Sequence, residues 1–190
     1  PAVYDVKKMS WMNGQYMRRL SPEQLLEWYL KFAVSSGIGT EAELRSRSEW
    51  LTKVVVSLQE RSQTIEDLVE SSRFYFGLAG DGSEYDEAAV KKLFSKPGIA
   101  DLLRKGAAAL SEVGVWDIEN EEKAYRDLIE REGLKGGDLI HPTRLALTGK
   151  TVGPGLFDIV DILGKDDVVA RLNAAADFIE RTGLEKKEGV

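Results

Sequence analysis

SPEQLLEWYL, residues 21–30, carries the signals that set the fold class. Ser21 supplies a hydroxyl cap, Pro22 takes the first helical position, and Gln24 is placed to reach back to the backbone of Ser21. Apolar Leu25, Leu26, Tyr29 and Leu30 follow at helical spacing, which predicts a helix to about Ser35. Outward from there the same period persists. Leu51, Val54, Val55 and Leu58 stripe a second helix, preceded by Gly39-Thr40 and closed by Arg61-Ser62. Thr64 with Asp67 opens a third, turning Ile65, Leu68 and Val69 inward.

The stretch GLAGDGS, residues 77–83, is the clearest loop in the chain and marks a subdomain boundary. Helices are predicted to resume over 85–94 and 97–112, and again near Glu119, where Tyr125, Leu128 and Ile129 face a core before Gly133. Segments 156–163 and 165–182 complete the set. In the last, Val168, Leu172, Ala175, Ala176 and Ile179 form the inner stripe, with Lys165, Arg171, Asp177 and Arg181 elsewhere. No alternating strand pattern, fixed-period repeat or low-complexity tract interrupts this reading. The expected class is all-α.

Composition excludes several chemistries. The 190 residues suffice for one large or two small cores. With 32 acidic against 26 basic side chains the net charge is −6, so bulk electrostatics point to no nucleic-acid or anionic-membrane partner, and any such contact must be local. The absence of cysteine removes disulfides, thiolate metal sites and cysteine nucleophiles, and fits a reducing compartment such as the cytoplasm. His141 is the single histidine. Placed before Pro142 at a helix entrance, it reads as structural, and no metal site is expected. No apolar run approaches the roughly 20 residues of a membrane span. The chain opens on Pro1-Ala2-Val3-Tyr4, which reads like the middle of a fold and suggests a C-terminal piece.

LALTGKTVGPG, residues 145–155, contains Thr-Gly-Lys-Thr and raises the question of a phosphate-binding loop. That motif needs glycine five positions before Gly149, directly after a buried strand, yet Arg144 stands there and no strand is predicted. The glycines instead join two helices, with Arg144 and Lys150 flanking the turn. Glu119-Asn120-Glu121-Glu122 reads as an acidic first helical turn.

Several blocks carry a resemblance: HPTRLALTG at 141–149, GPGLF at 153–157, Leu163-Gly164-Lys165 and Arg171-Leu172. Tyr4-Asp5, Lys8-Met9, WMNGQY at 11–16, ERSQTIEDL at 60–68 and RFYF at 73–76 accompany them in order. Together they resemble the C-terminal anticodon-binding region of bacterial glutamyl-tRNA synthetases, class I aminoacyl-tRNA synthetases, over nearly the whole chain. The resemblance implies an anticodon-binding helical bundle, an α-helix cage, in two subdomains. Residues 1–20 would end a stem-contact region, 21–78 form the first helical subdomain and 79–190 the second. Neither catalytic signature of that family occurs here; Lys8-Met9-Ser10 mimics half of one and reads as helix. ATP and Mg are therefore expected only in a separate N-terminal catalytic domain of the same protein.

The implied partner is the anticodon loop of tRNA(Glu), bound by a monomer. Arg61 matches the arginine that contacts the third anticodon base in this family. Cytosine there presents two acceptors to a guanidinium fork, whereas guanine presents donors. Arg144, Pro154, Leu156 and Phe157 match positions that close around the anticodon bases; Gly153 stands where the family often has threonine. Lys150, Lys165 and Arg171 are candidates for phosphate contacts, and Asn13 and Tyr16 for stem contacts. A helical protein-interaction module of the same ancestry, no longer binding RNA, is the other reading open.

Overall fold

A computed structural model describes residues 6–77 and 82–184, and no strand occurs among them. Tyr4-Asp5 and residues 78–81 of the glycine-rich loop lie outside the described residues. The chain divides into two compact units, Pro1–Phe76 and Gly77–Val190.

In the first unit α1 spans Val6–Met17, α2 Pro22–Ser35, α3 Glu41–Ser46, α4 Ser48–Gln59 and α5 Ile65–Ser72, followed by a tight turn over Arg73–Phe76. Lys8-Met9-Ser10 is helical, within α1. The reciprocal cap expected at Ser21 forms: its Oγ accepts from Gln24 N at 3.3 Å, while Gln24 Oε1 accepts from Ser21 N at 3.0 Å. Thr64 and Asp67 repeat it at 3.0 and 3.1 Å. Between them the single helix expected after Thr40 is two. Thr40 and Glu43 make a further reciprocal cap, which starts α3, and Arg47 leaves the helical region (φ −115°, ψ 28°) before α4 begins.

The core is a three-helix arrangement in which α2, α4 and α5 touch pairwise. Leu25, Tyr29, Leu30 and Ala33 meet Leu51, Val54, Val55, Leu58, Leu68 and Val69, all buried. Ile65, expected inward, is only half-buried, because it sits at the first position of α5. Tyr29 Oη and Ser72 Oγ are 2.7 Å apart inside this core, and burial pushes the phenol up to about 12.

In the second unit α6 covers Glu87–Ala89 and runs into a wider π turn over Val90–Phe94; α7 spans Ile99–Ser111, α8 Ile118–Arg131 and α9 Gly136–Thr148. α10 (Leu156–Leu163) and α11 (Lys165–Thr182) have the expected bounds. The helix expected over 85–94 differs. Asp86 caps it at Ala89 N (2.7 Å), and the π turn rotates Val90, Leu93 and Phe94 together into the interior. α7 starts at Ile99 because Gly98 takes a left-handed conformation, φ 73°. His141 stands inside α9, exposed, rather than at its entrance; α9 begins at Gly136 and carries Pro142 within it, so the bond from residue 142 to Asp138 O is missing.

The principal contact of this unit is α7 along α11. Leu103, Ala107 and Leu110 face Val168, Leu172, Ala175, Ala176 and Ile179, every one buried, and the alanines allow close approach. α8, α9 and α10 meet at Tyr125, which is 1% exposed. Its hydroxyl lies 3.2 Å from Thr143 Oγ1 of α9, and its ring meets Phe157 of α10 edge-on at 5.8 Å. Burial holds this phenol well above its usual range. Gly106 of α7 completes the group, since a Cβ there would lie 2.7 Å from Tyr125 Oη. A glycine inside a helix is unfavourable by itself, and here it makes room for a phenol.

Lys165, first in α11, donates through Nζ to the carbonyls of Ser111 (3.3 Å) and Val113, capping the end of α7, and lies 5.7 Å from the Trp116 ring centre.

Gly106→Ala and Tyr125→Phe should each lower stability in urea unfolding, by about 1–3 kcal/mol. Because removal of the hydroxyl opens the space that the new methyl needs, the double variant should be less destabilised than the sum of the two; strict additivity would mean they do not share this packing defect. Lys165→Met should lower stability by about 1 kcal/mol in the same assay, through the lost carbonyl contacts.

Candidate nucleic-acid interface

Arg61 sits on a turn in the first unit, just past the C-terminus of α4. Its backbone N–H bonds Leu58 O at 3.1 Å, and so does that of Ser62, at 3.2 Å. Ser62 Oγ donates to the same carbonyl at 3.0 Å and is buried, while the Arg61 side chain is exposed to solvent. The turn therefore holds its backbone inward and presents one guanidinium outward. Tyr16 is 63% exposed on α1. Asn13, also on α1, donates through Nδ2 to Gln63 O at 3.0 Å.

In the second unit the candidates gather on the α9–α10 connection. α9 ends at Gly149 (φ 72°), whose N–H bonds Leu145 O at 2.8 Å. Its own carbonyl accepts from Asp86 N at 2.9 Å, and a Cβ on Gly149 would come within 2.5 Å of Glu84 O. The Thr-Gly-Lys-Thr sequence is thus a helix end and turn, without a preceding strand among the described residues. Thr148 Oγ1 donates to Arg144 O at 2.8 Å and accepts from Lys150 N at 3.1 Å, leaving the Lys150 side chain exposed. Arg144 bridges the connection from behind: Nη1 donates to Pro154 O at 2.7 Å. Pro154 and Leu156 are packed inside, and Phe157 is half-buried against Tyr125. A braced turn results, with the Arg144 guanidinium at its base.

Lys165 and Arg171 have other engagements in the structure. Lys165 caps α7, as described. Arg171, expected off the inner stripe of α11 and as a phosphate contact, has a side chain only 11% exposed and donates through Nη1 to Leu147 O at 2.9 Å, near the end of α9. Burial lowers its pKa below the ordinary arginine value, opposed by Asp167, Glu84 and Tyr85. The α9 terminus is therefore held from α11 as well as from Asp86.

The role of Asn13 at the Arg61 turn and that of Gly106 under Tyr125 are not legible in the sequence, because each joins residues far apart in the chain. The Thr40–Glu43 cap was within reach, since it repeats the spacing of Ser21–Gln24. Among the described residues no group of three or more His, Asp or Glu side chains is placed to hold a metal, and no helix is long and apolar enough to cross a membrane.

Comparison with known proteins adds a lineage to this geometry. The model of the anticodon binding domain family matches residues 23–176. The glutamate–tRNA ligase of Desulforudis audaxviator is 39% identical over 180 residues, 94% of this chain and 35% of the relative. Glutamate–tRNA ligase 2 of Thermoanaerobacter pseudethanolicus is 38% identical over 182 residues, 95% of this chain and 36% of its own length. The chain thus spans about a third of these relatives. A crystal structure of a glutamate tRNA ligase from Elizabethkingia meningosepticum superposes with a TM-score of 0.80 at 26% identity, covering 93% of this chain and 33% of that one. The chain belongs to the anticodon binding domain family, as the counterpart of the C-terminal anticodon-binding region of glutamyl-tRNA synthetases.

Proposed function

We propose that the chain reads the anticodon loop of glutamate tRNA, as the C-terminal portion of a monomeric, cytoplasmic glutamate–tRNA ligase. In this reading residues 1–20 end a stem-contact region, and residues 21–78 and 79–190 form two helical anticodon-binding subdomains. Activation of glutamate with ATP and Mg belongs to a catalytic domain of the same protein, and these residues position the tRNA for it.

The observation that carries the reading is Arg61, an exposed guanidinium on a turn with a fixed backbone, inside a chain of the anticodon binding domain family. Its fork suits the two acceptors of a cytosine pairing edge, and a guanine would set donors against donors. Arg144 and Phe157 address bases from the α9–α10 turn, and Pro154 and Leu156, whose side chains are buried, shape the turn that holds them. Lys150, exposed beside that turn, meets phosphate; Tyr16 meets the stem. For Asn13, Arg144, Lys165 and Arg171 a contact with RNA would come on top of the intramolecular bonds that they make.

Filter-binding titration against glutamate tRNA, glutamine tRNA and anticodon-swapped versions of both tests this. Preference should follow the anticodon, whereas equal weak binding to all four would favour a protein-interaction module. Arg61→Gln should narrow the preference for cytosine over guanine at the third anticodon base by about 5–150-fold, the equivalent of 1–3 kcal/mol, with little change in thermal stability. Arg144→Lys keeps the charge but loses the fork; it should weaken binding about tenfold without changing the slope of affinity against salt, which counts phosphate contacts.

A further inference from the structure

The turn that carries Arg61 is tied on both sides to one short segment, the second half of α1 and the residues just after it. Asn13 Nδ2 donates to Gln63 O at 3.0 Å, and Arg18 Nη1 donates to Glu60 O at 3.3 Å. In the other direction Gln59 Nε2 donates to Met17 O at 2.7 Å and to Leu20 O at 3.1 Å. Between these ties the two backbones come close. Gly14 is buried, and a Cβ built there would stand 3.6 Å from Gln63 Cα, at ordinary van der Waals distance, so the two backbones pass within one side-chain atom of each other.

The carbonyls that accept these bonds belong to Glu60 and Gln63, which bracket Arg61. Carbonyls just past a helix C-terminus are ordinarily left to water, and such a turn frays. Here both are held by side chains, Asn13 from α1 and Arg18 from the residues just after it, while Leu58 O anchors the N–H groups of Arg61 and Ser62. The Arg61 side chain itself is exposed to solvent. Fixing the direction in which a long side chain leaves the backbone reduces the freedom lost when it engages a base, and reduces the number of wrong bases it can reach.

We propose that Asn13 and Arg18 are positioning residues for Arg61: the α1 segment aims the guanidinium, and base selectivity depends on two side chains that act through the turn. The inference rests on the reading of Arg61 as the group that addresses the third anticodon base.

The test is a double-mutant cycle on selectivity. The ratio of affinities for the glutamate anticodon stem-loop and its third-base guanine variant is measured for the unmodified chain, Asn13→Ala, Arg61→Gln and the double variant. Asn13→Ala should lower the ratio about three- to tenfold and should lower it no further once Arg61 is gone. Arg18→Met should behave like Asn13→Ala, and Arg18→Lys, which keeps a donor, should retain most of the ratio. If circular dichroism shows that Asn13→Ala loses helix, Asn13→Asp, of the same shape without the amide donor, takes its place. Equal weakening for both RNAs, or an undiminished effect of the Asn13 variant in the Arg61→Gln background, overturns the inference while leaving Arg61 in its role. A ratio unmoved by Arg61→Gln removes the reading of Arg61, and the positioning role with it.

Discussion

The second unit is organised around a single buried phenol. Tyr125 brings together α7, α8, α9 and α10, because its hydroxyl sits where Gly106 has no side chain, bonds Thr143, and leaves the ring to meet Phe157. A buried aromatic with a polar tip constrains more than a leucine of similar size: its ring must be packed and its oxygen must find a partner, so distance and orientation are both set. Thr143 is next to Arg144 in α9, and Phe157 follows Leu156 at the start of α10. The interior contact therefore sets the registry of the two helices that present the candidate base-contacting turn.

Both candidate reading elements follow one design. Each is a short turn just past a helix C-terminus, where unpaired carbonyls would normally make the chain soft. In the first unit Asn13 of α1 and Arg18 just after it hold these carbonyls. In the second, Arg171 takes Leu147 O, Asp86 N takes Gly149 O, and Arg144 takes Pro154 O. A binding surface for unpaired bases gains from such bracing, since order present before binding does not have to be created on binding.

How much of this the sequence discloses depends on the range of each interaction. Local signals are plain: the Ser21 and Thr64 caps, the bounds of α10 and α11, and the buried stripe from Val168 to Ile179 all follow from residues three or four apart. The exposed place of Arg61 after a helix end is of the same kind. The π turn at Val90–Phe94 and the break at Arg47 are local too, but they carry no distinctive residue pattern. Pro142 and His141 mislead, because proline ordinarily marks a helix start and here lies well inside one. Arg171 looks like a surface cation at helical spacing, yet its guanidinium has a carbonyl to satisfy at the end of another helix. Contacts such as Asn13 with Gln63 or Gly106 with Tyr125 join distant segments, and no single sequence can announce them.

α10 and α11 are separated by one residue, Gly164, whose φ of 83° and ψ of 160° make the whole corner. With one residue between them, only the two torsions of Gly164 set the angle between the helices, and its positive φ is a conformation that glycine adopts without strain. α10 and α11 thus form an angle bracket, with the α9–α10 turn at the far end of one arm. A displacement of α10 can be taken up at the corner only through those two torsions. α11 in turn lies along α7, so whatever these torsions do not absorb would be passed to the main helix pair of this unit, as along a lever.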